Sequence, residues 1–218
     1  MDKLLKNLIY LRTNLDITKL HKYDPEFHKL IPLVESDLHS LQTIKENDLA
    51  DNIFPDGHFK LIELLQFISI NILDFLIAFQ NYFNGLTKWE KNYACRQLAL
   101  ILYEFTDDIH RTINETLQKN EEIDKINSNL KPQINKVVKK IRFIKQLKYD
   151  EHLKVLRHQT IAHKEEDIQR LYDRIQTLDE TLVIACSMFF VNWIYEFFDL
   201  VKEIPKKLEA IQKTRIRQ

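Results

Sequence analysis

Apolar side chains recur along this chain at intervals of three and four residues, the spacing that places them on one face of an α-helix. Asp2 to about Lys22 carries Leu4, Leu8, Leu11 and Leu15 at that spacing, with Leu5 beside the stripe, and predicts one amphipathic helix. Asp24 and Pro25 have the chemistry of an N-cap and a first-turn proline, and Phe27, Ile31, Val34, Leu38 and Leu41 continue the period. Pro32 is the point at which this helix is expected to kink or restart. Asn47 to Gly57, which holds Pro55, Asp56 and Gly57 together, predicts the first clear loop.

The stripe Leu61, Leu65, Ile68, Ile72, Phe75, Phe79, Tyr82 predicts a long helix over Phe59 to Phe83, ended near Asn84 and Gly85 by an αL cap. Thr87 then heads a capping box with Glu90, and a helix is expected from Lys88 to about Leu117. A polar break at Gln118 to Glu122 leads into a helix over Ile123 to Leu147, with Pro132 as an interruption inside it. Tyr149 to His163 follows, and the final helix, about Glu165 to Lys202, is expected to be the longest. Pro205 should bend or end it, leaving a basic tail to Gln218.

The pattern predicts an all-α fold: an antiparallel bundle of about four long helices, joined by short loops, with one or two additional N-terminal helices packed on it. The final helix carries two apolar stripes. Ile168, Leu171, Ile175, Leu178, Leu182, Ala185, Phe189, Trp193, Phe197 and Leu200 form one, and Ile184, Met188, Val191, Tyr195 and Phe198 the other. One stripe packs the chain's own bundle, and the second needs a cover, either the N-terminal helices or another subunit. The second face is therefore a candidate homodimer interface.

Composition narrows the chemistry. With only Gly57 and Gly85 as glycines, the chain has no material for sheet turns or for the glycine-rich loops that cradle nucleotide phosphates. Lys plus Arg and Asp plus Glu are equal at 32 each, so binding to nucleic acid must be local. Cys95 and Cys186 lie in apolar helical stretches as small core residues, which together with the absence of a signal-like segment at Met1 suits a reducing cytoplasm. The most hydrophobic stretch, Leu182 to Tyr195, is fourteen residues long and reads as a buried helix, since a membrane span needs ~20.

One segment concentrates chemistry: LRHQTIAH, Leu156 to His163. Arg157 is followed by the polar His158, and His163 comes five residues later. This resembles the motif of the HEPN superfamily, an Arg, a polar neighbour and a His four to six residues after the Arg, at a helix end inside a bundle of about four helices. Ala162 before His163 and the long apolar final helix resemble its abortive-infection branch. On that resemblance 58–204 is the HEPN-like bundle, 1–50 holds accessory helices and 205–218 is the basic tail of a single domain. What it implies is an endoribonuclease that needs no metal or other cofactor, with two motifs paired across a homodimer, or an RNA-binding effector without catalysis, in phage defence or beside an antitoxin.

The residue types suit that reaction. His163 exchanges a proton near neutral pH, Arg157 offers a fork of donors to a pentacoordinate phosphate, and His158 positions phosphate or shares the proton transfer. On an unbroken helix Arg157 and His163 would lie ~120° apart, so a bend or the reach of the Arg side chain must bring them together. The alternative is a non-catalytic helical interaction module, in which Arg157 pairs with Glu165, Glu166 or Asp167 and His163 caps the last helix.

Three further features bear on function. From Lys125 to Tyr149 there are eight basic residues and no acidic one, with Lys136, Lys139 and Lys140 on a face opposite Ile134, Val137 and Ile141; this is a candidate phosphate-binding face or simply a solvated one. His152, His158, His163 and Asp167 cluster in sequence, yet their spacing gives only the pair His163 and Asp167, so no metal is expected. Asp107 and Asp108 near His110 would support the chemistry only if their helix faces the motif.

Overall fold

The computed structural model describes residues 24–51, 56–117, 130–146, 172–173, 175, 178–202 and 204–216. Among them lie six helices: α1 (Asp24–Asp51), α2 (Asp56–Asn84), α3 (Lys88–Leu117), α4 (Leu130–Gln146), α5 (Glu180–Val201) and α6 (Ile204–Ile216). The fold is all-α, as the 3.6-residue periodicity predicts. The N-terminal segment with Leu4, Leu8, Leu11 and Leu15 lies outside the described residues.

Pro32 does not restart α1, which runs unbroken past it. Pro32 is exposed, as is His28 one turn earlier, so the carbonyl that loses its helical partner faces water instead of the core. The buried stripe is Leu30, Val34, Leu41 and Ile44, with Ile31 only partly buried. α1 also continues to Asp51 and α2 begins at Asp56, so most of the stretch expected as a loop, Asn47 to Gly57, is helical.

α2 is the best predicted element. Every member of its stripe, from Leu61 to Tyr82, is buried, because an apolar helix covered on several sides must pack whichever stripe is chosen. It runs antiparallel to α1, as the pairs Lys45 with Glu63 (3.2 Å) and Gln66 with Gln42 (2.8 Å) show, and antiparallel to α3 across a short turn. Gly85 in that turn is not left-handed. It supplies space: a Cβ there would lie 3.1 Å from Lys91 Cγ and 3.3 Å from the Asn81 carbonyl oxygen.

The capping box stands as predicted. Glu90 N donates to Thr87 Oγ1 (3.1 Å), while Thr87 N and Leu86 N each donate to Glu90 Oε2 at 2.8 Å. These bonds from Thr87 and Leu86 stabilise the charged carboxylate and pull the Glu90 pKa below its ordinary value. In α4, Pro132 sits in the first turn, where a missing N–H costs nothing.

The last long helix differs from expectation at both ends. α5 starts at Glu180, with Asp179 as its N-cap accepting a bond from Leu182 N at 2.9 Å, and Leu178 is not helical. The expected run from Glu165 is thus interrupted by a capped start. Beyond Val201 the chain does not become an irregular tail: Pro205 occupies the first turn of α6, which packs on α1.

α5 is the core helix. Phe190 meets Phe75 edge-on at 4.6 Å and Phe105 at 5.1 Å, and Trp193 stacks between Phe190 (5.3 Å) and Phe197 (5.1 Å). Trp193 Nε1 donates to the Val137 carbonyl at 3.0 Å, and Lys140 pairs with Glu196, so α4 runs parallel to α5. α3 is also parallel to it, since Cys95 faces Glu180 and Phe105 faces Phe190, whereas α2 is antiparallel. The expectation of antiparallel neighbours therefore holds for the sequential pairs α1 with α2 and α2 with α3. α3, α4 and α5 follow a different order, because long connections separate them in the chain.

By length and composition two segments, His58–Asn84 and Glu180–Ile211, are apolar enough to cross a membrane, yet more than half of each apolar window is buried inside the protein. Packing against α3 explains the composition of α2 without a bilayer.

Candidate functional site

Arg157, His158 and His163 lie outside the described residues, as do His152 and Asp167. The chain that precedes them ends its described part in α4, and the chain that follows resumes at Tyr172. Among the described residues no three His, Cys, Asp or Glu side chains cluster as metal ligands. Asp108 is tied to Arg111 at 2.8 Å, which leaves its carboxylate a surface ion pair on α3.

The lysine face of α4 is present and divided. Ile134, Val137, Val138 and Ile141 are buried, and Lys136 and Lys139 stand exposed on the opposite side without an ion pair to any described residue. Lys140 is partly buried and committed to Glu196 of α5, so its charge is already answered within the chain. Two of the three lysines are open to a phosphate.

The second stripe of α5 is largely covered from within. Ile184 and Val191 are buried, Met188 and Phe198 are partly buried against the core, and Tyr195 alone is exposed, at 38%. Part of the cover comes from α1 and α2, since Phe198 shares a small enclosed space with Leu41 and Leu65.

A polar cluster that periodicity could not reveal sits where the end of α2 meets the starts of α3 and α5. The Tyr82 hydroxyl donates to Glu180, Asn92 Nδ2 reaches the Ile175 carbonyl at 3.5 Å, and Cys95 is fully buried beside them. Burial, and then the hydrogen bond and charge of Glu180, raise the Tyr82 pKa; burial, followed by Glu180, raises that of Cys95. The only hint in sequence is a tyrosine on an otherwise apolar stripe, whose hydroxyl needs a partner once buried.

This cluster makes alkaline stability a test of its geometry. Raised pKa values mean that the folded chain keeps protons the unfolded chain loses, so the contribution is full below the ordinary values of 9.0 for the thiol and 10.0 for the phenol and is lost as pH rises above them. Cys95 lowers stability by at most ~1.4 kcal/mol per pH unit in that range. Tyr82 adds less, since its partner Glu180 is partly exposed and solvent screens the pair. Urea denaturation between pH 8 and 11 should show a shallower decline in Cys95→Ala with Tyr82→Phe; an identical decline would count against the cluster.

On the outer side of the same end, Trp89 and Tyr93 project one turn apart from α3, with Arg96 over both rings at 5.9 and 5.5 Å. Burial draws the Arg96 pKa down, partly offset by Tyr93, and its Nε is enclosed without a hydrogen-bond partner.

No family model matches the chain, and neither a curated protein nor a solved structure matches it.

Proposed function

We propose that this protein is a HEPN-like, metal-independent endoribonuclease of the cytoplasm, serving in phage defence or held in check by an antitoxin. The observation that carries the reading is the sequence Arg157-His158-x4-His163 in a chain whose described residues on both sides of it are helical. In the reaction a His takes the proton of a ribose 2′-hydroxyl, whose oxygen attacks the adjacent phosphorus. The P–O5′ bond breaks, the leaving oxygen receives a proton, and the products are a 2′,3′-cyclic phosphate and a 5′-hydroxyl. Arg157 offsets the charge that builds on the phosphate oxygens. A homodimer would bring two motifs together and so supply both acid and base; on α5 its available contacts are Tyr195 and the outer parts of Met188 and Phe198, since Ile184 and Val191 are used inside the protomer.

The deciding assay is cleavage of RNA by the purified protein with EDTA present, read by gel and by the cyclic phosphate on the fragments. Intact RNA under these conditions leaves the alternative, a non-catalytic interaction module. Substrate binding is expected to use Lys136 and Lys139. Reversing both to Glu should weaken RNA affinity and make the slope of log K against log salt shallower by roughly 1.4, the value for two phosphate contacts on a single strand. An unchanged slope removes α4 from the interface.

A further inference from the structure

We infer that the turn joining α2 to α3 carries a nucleobase-stacking subsite for single-stranded RNA, built on Trp89 and Tyr93. The proposal deepens the RNA reading and rests on it for the ligand class. Both rings stand well out of the core, Trp89 at 50% and Tyr93 at 56% exposure, although large aromatics are normally drawn inside. They are four residues apart on one helix, ~6 Å along its axis, and so stand on the same face of α3.

The Arg96 guanidinium lies over both rings, holding them in place and presenting positive charge beneath them. Rings backed by a guanidinium are a stacking platform for bases, because every base offers a π face. The same rings border a cavity of about 370 Å³, whose other walls are Asn81, Asn84, Gly85, Glu90 and Ala94. Asn81 and Asn84 are exposed, and an amide can donate and accept at once along the edge of a base.

The Glu90 carboxylate is turned to its own backbone, at Leu86 N and Thr87 N. It thereby satisfies the start of α3, so the helix end is not the binding element. Gly85 lets the Lys91 stem and the Asn81 carbonyl pack closely at this end of the cavity.

The adjoining cavity, about 450 Å³, shares Asn81, Tyr93 and Ala94 but is rimmed by two carboxylates, Asp74 and Glu104, which repel phosphates more than the single Glu90 of the Trp89 cavity, whose oxygen is engaged by its own backbone. A strand stacked on Trp89 is therefore expected to leave past the Gly85 end. A docked protein helix would want several aliphatic anchors; the cavity itself is lined by Ala94, with Leu86 exposed on the turn beside it, and it is the two amides of Asn81 and Asn84 that favour a base.

The test uses 2′-O-methyl oligo(A) and oligo(U) decamers, which lack the attacking hydroxyl and cannot be cut. Binding is followed by the fluorescence anisotropy of fluorescein-labelled decamers, which reads every variant, and on the unmodified full chain also by tryptophan fluorescence, in which Trp193 is buried and Trp89 is the responsive ring. Both decamers should quench Trp89, and a blunt duplex of equal length should not. Trp89→Ala should weaken decamer binding about five- to a hundred-fold, as for loss of one base stack, while Trp89→Phe retains it within a few-fold. Both variants lie on the surface and should melt like the unmodified chain.

Equal binding by Trp89→Ala overturns the subsite even if RNA cleavage persists. Trp89-dependent binding in a protein that cuts no RNA upholds the subsite and sinks the nuclease reading. Quenching by a synthetic basic amphipathic peptide but by neither decamer overturns the subsite in favour of a protein-docking groove.

Discussion

Trp193→Ala is expected to destabilise the protein by about 3–5 kcal/mol, the range for truncating a buried aromatic. Trp193 is buried and holds three elements at once: it stacks on Phe190 and Phe197 along α5, meets Phe105 of α3 at 5.3 Å, and donates to the Val137 carbonyl of α4. The cavity left by Ala would sit between helices that are parallel neighbours far apart in sequence and cannot collapse onto it locally. Against a total of ~5–15 kcal/mol for a typical domain, such a loss leaves a chain that unfolds in mild urea. Trp193→Phe keeps most of the ring contacts and loses only the indole N–H, and the Val137 carbonyl still has its helical partner, so about 1–2 kcal/mol is expected. Denaturant titration of the two variants separates them, and an Ala variant as stable as the Phe variant would contradict the packing described for α5.

The second large effect is expected on the proposed RNA cleavage. His163→Ala and Arg157→Ala should each lower single-turnover RNA cleavage by ~10²–10⁴-fold, the range for removing a general acid–base group or a transition-state charge partner. Combining them should cost little more than either alone, because groups that act as a unit are not additive. The denaturation midpoint should stay near that of the unmodified protein, which distinguishes this loss from that of Trp193→Ala. Retained cleavage in either variant assigns the reaction to other residues.

What could be read in advance depended on whether the signal was local. The capping box of Thr87 and Glu90 is a four-residue event and was legible, as was the α2 stripe, every member of which from Leu61 to Tyr82 is buried. The start of α5 was not, because apolar residues keep helical spacing from Ile168 through Leu178 into Leu182, and only the Asp179 side chain turning to Leu182 N reveals the break. Pro205 was legible as an end yet not as a beginning, since proline constrains the turn before it and leaves the helix after it free. The pairing of Lys140 with Glu196, and of Tyr82 with Glu180, joins residues 56 and 98 apart, which no periodicity encodes. Trp89 and Tyr93 carry the spacing of a core stripe, and only their position on the outer face of α3 shows that they are not one.

The late place of α5 in the chain has a consequence for how the protein is made. At ~5–20 residues per second, synthesis completes α2 and α3 seconds before α5 leaves the ribosome. Through that interval Phe75 and Phe105 have no Phe190 or Trp193 to meet, and the nascent chain presents a greasy trough suited to a chaperone that binds apolar surface. A ribosome stalled beyond Leu117 but short of Glu180 should therefore hold a chain that recruits such a chaperone, and one stalled well beyond Ile216 should release it.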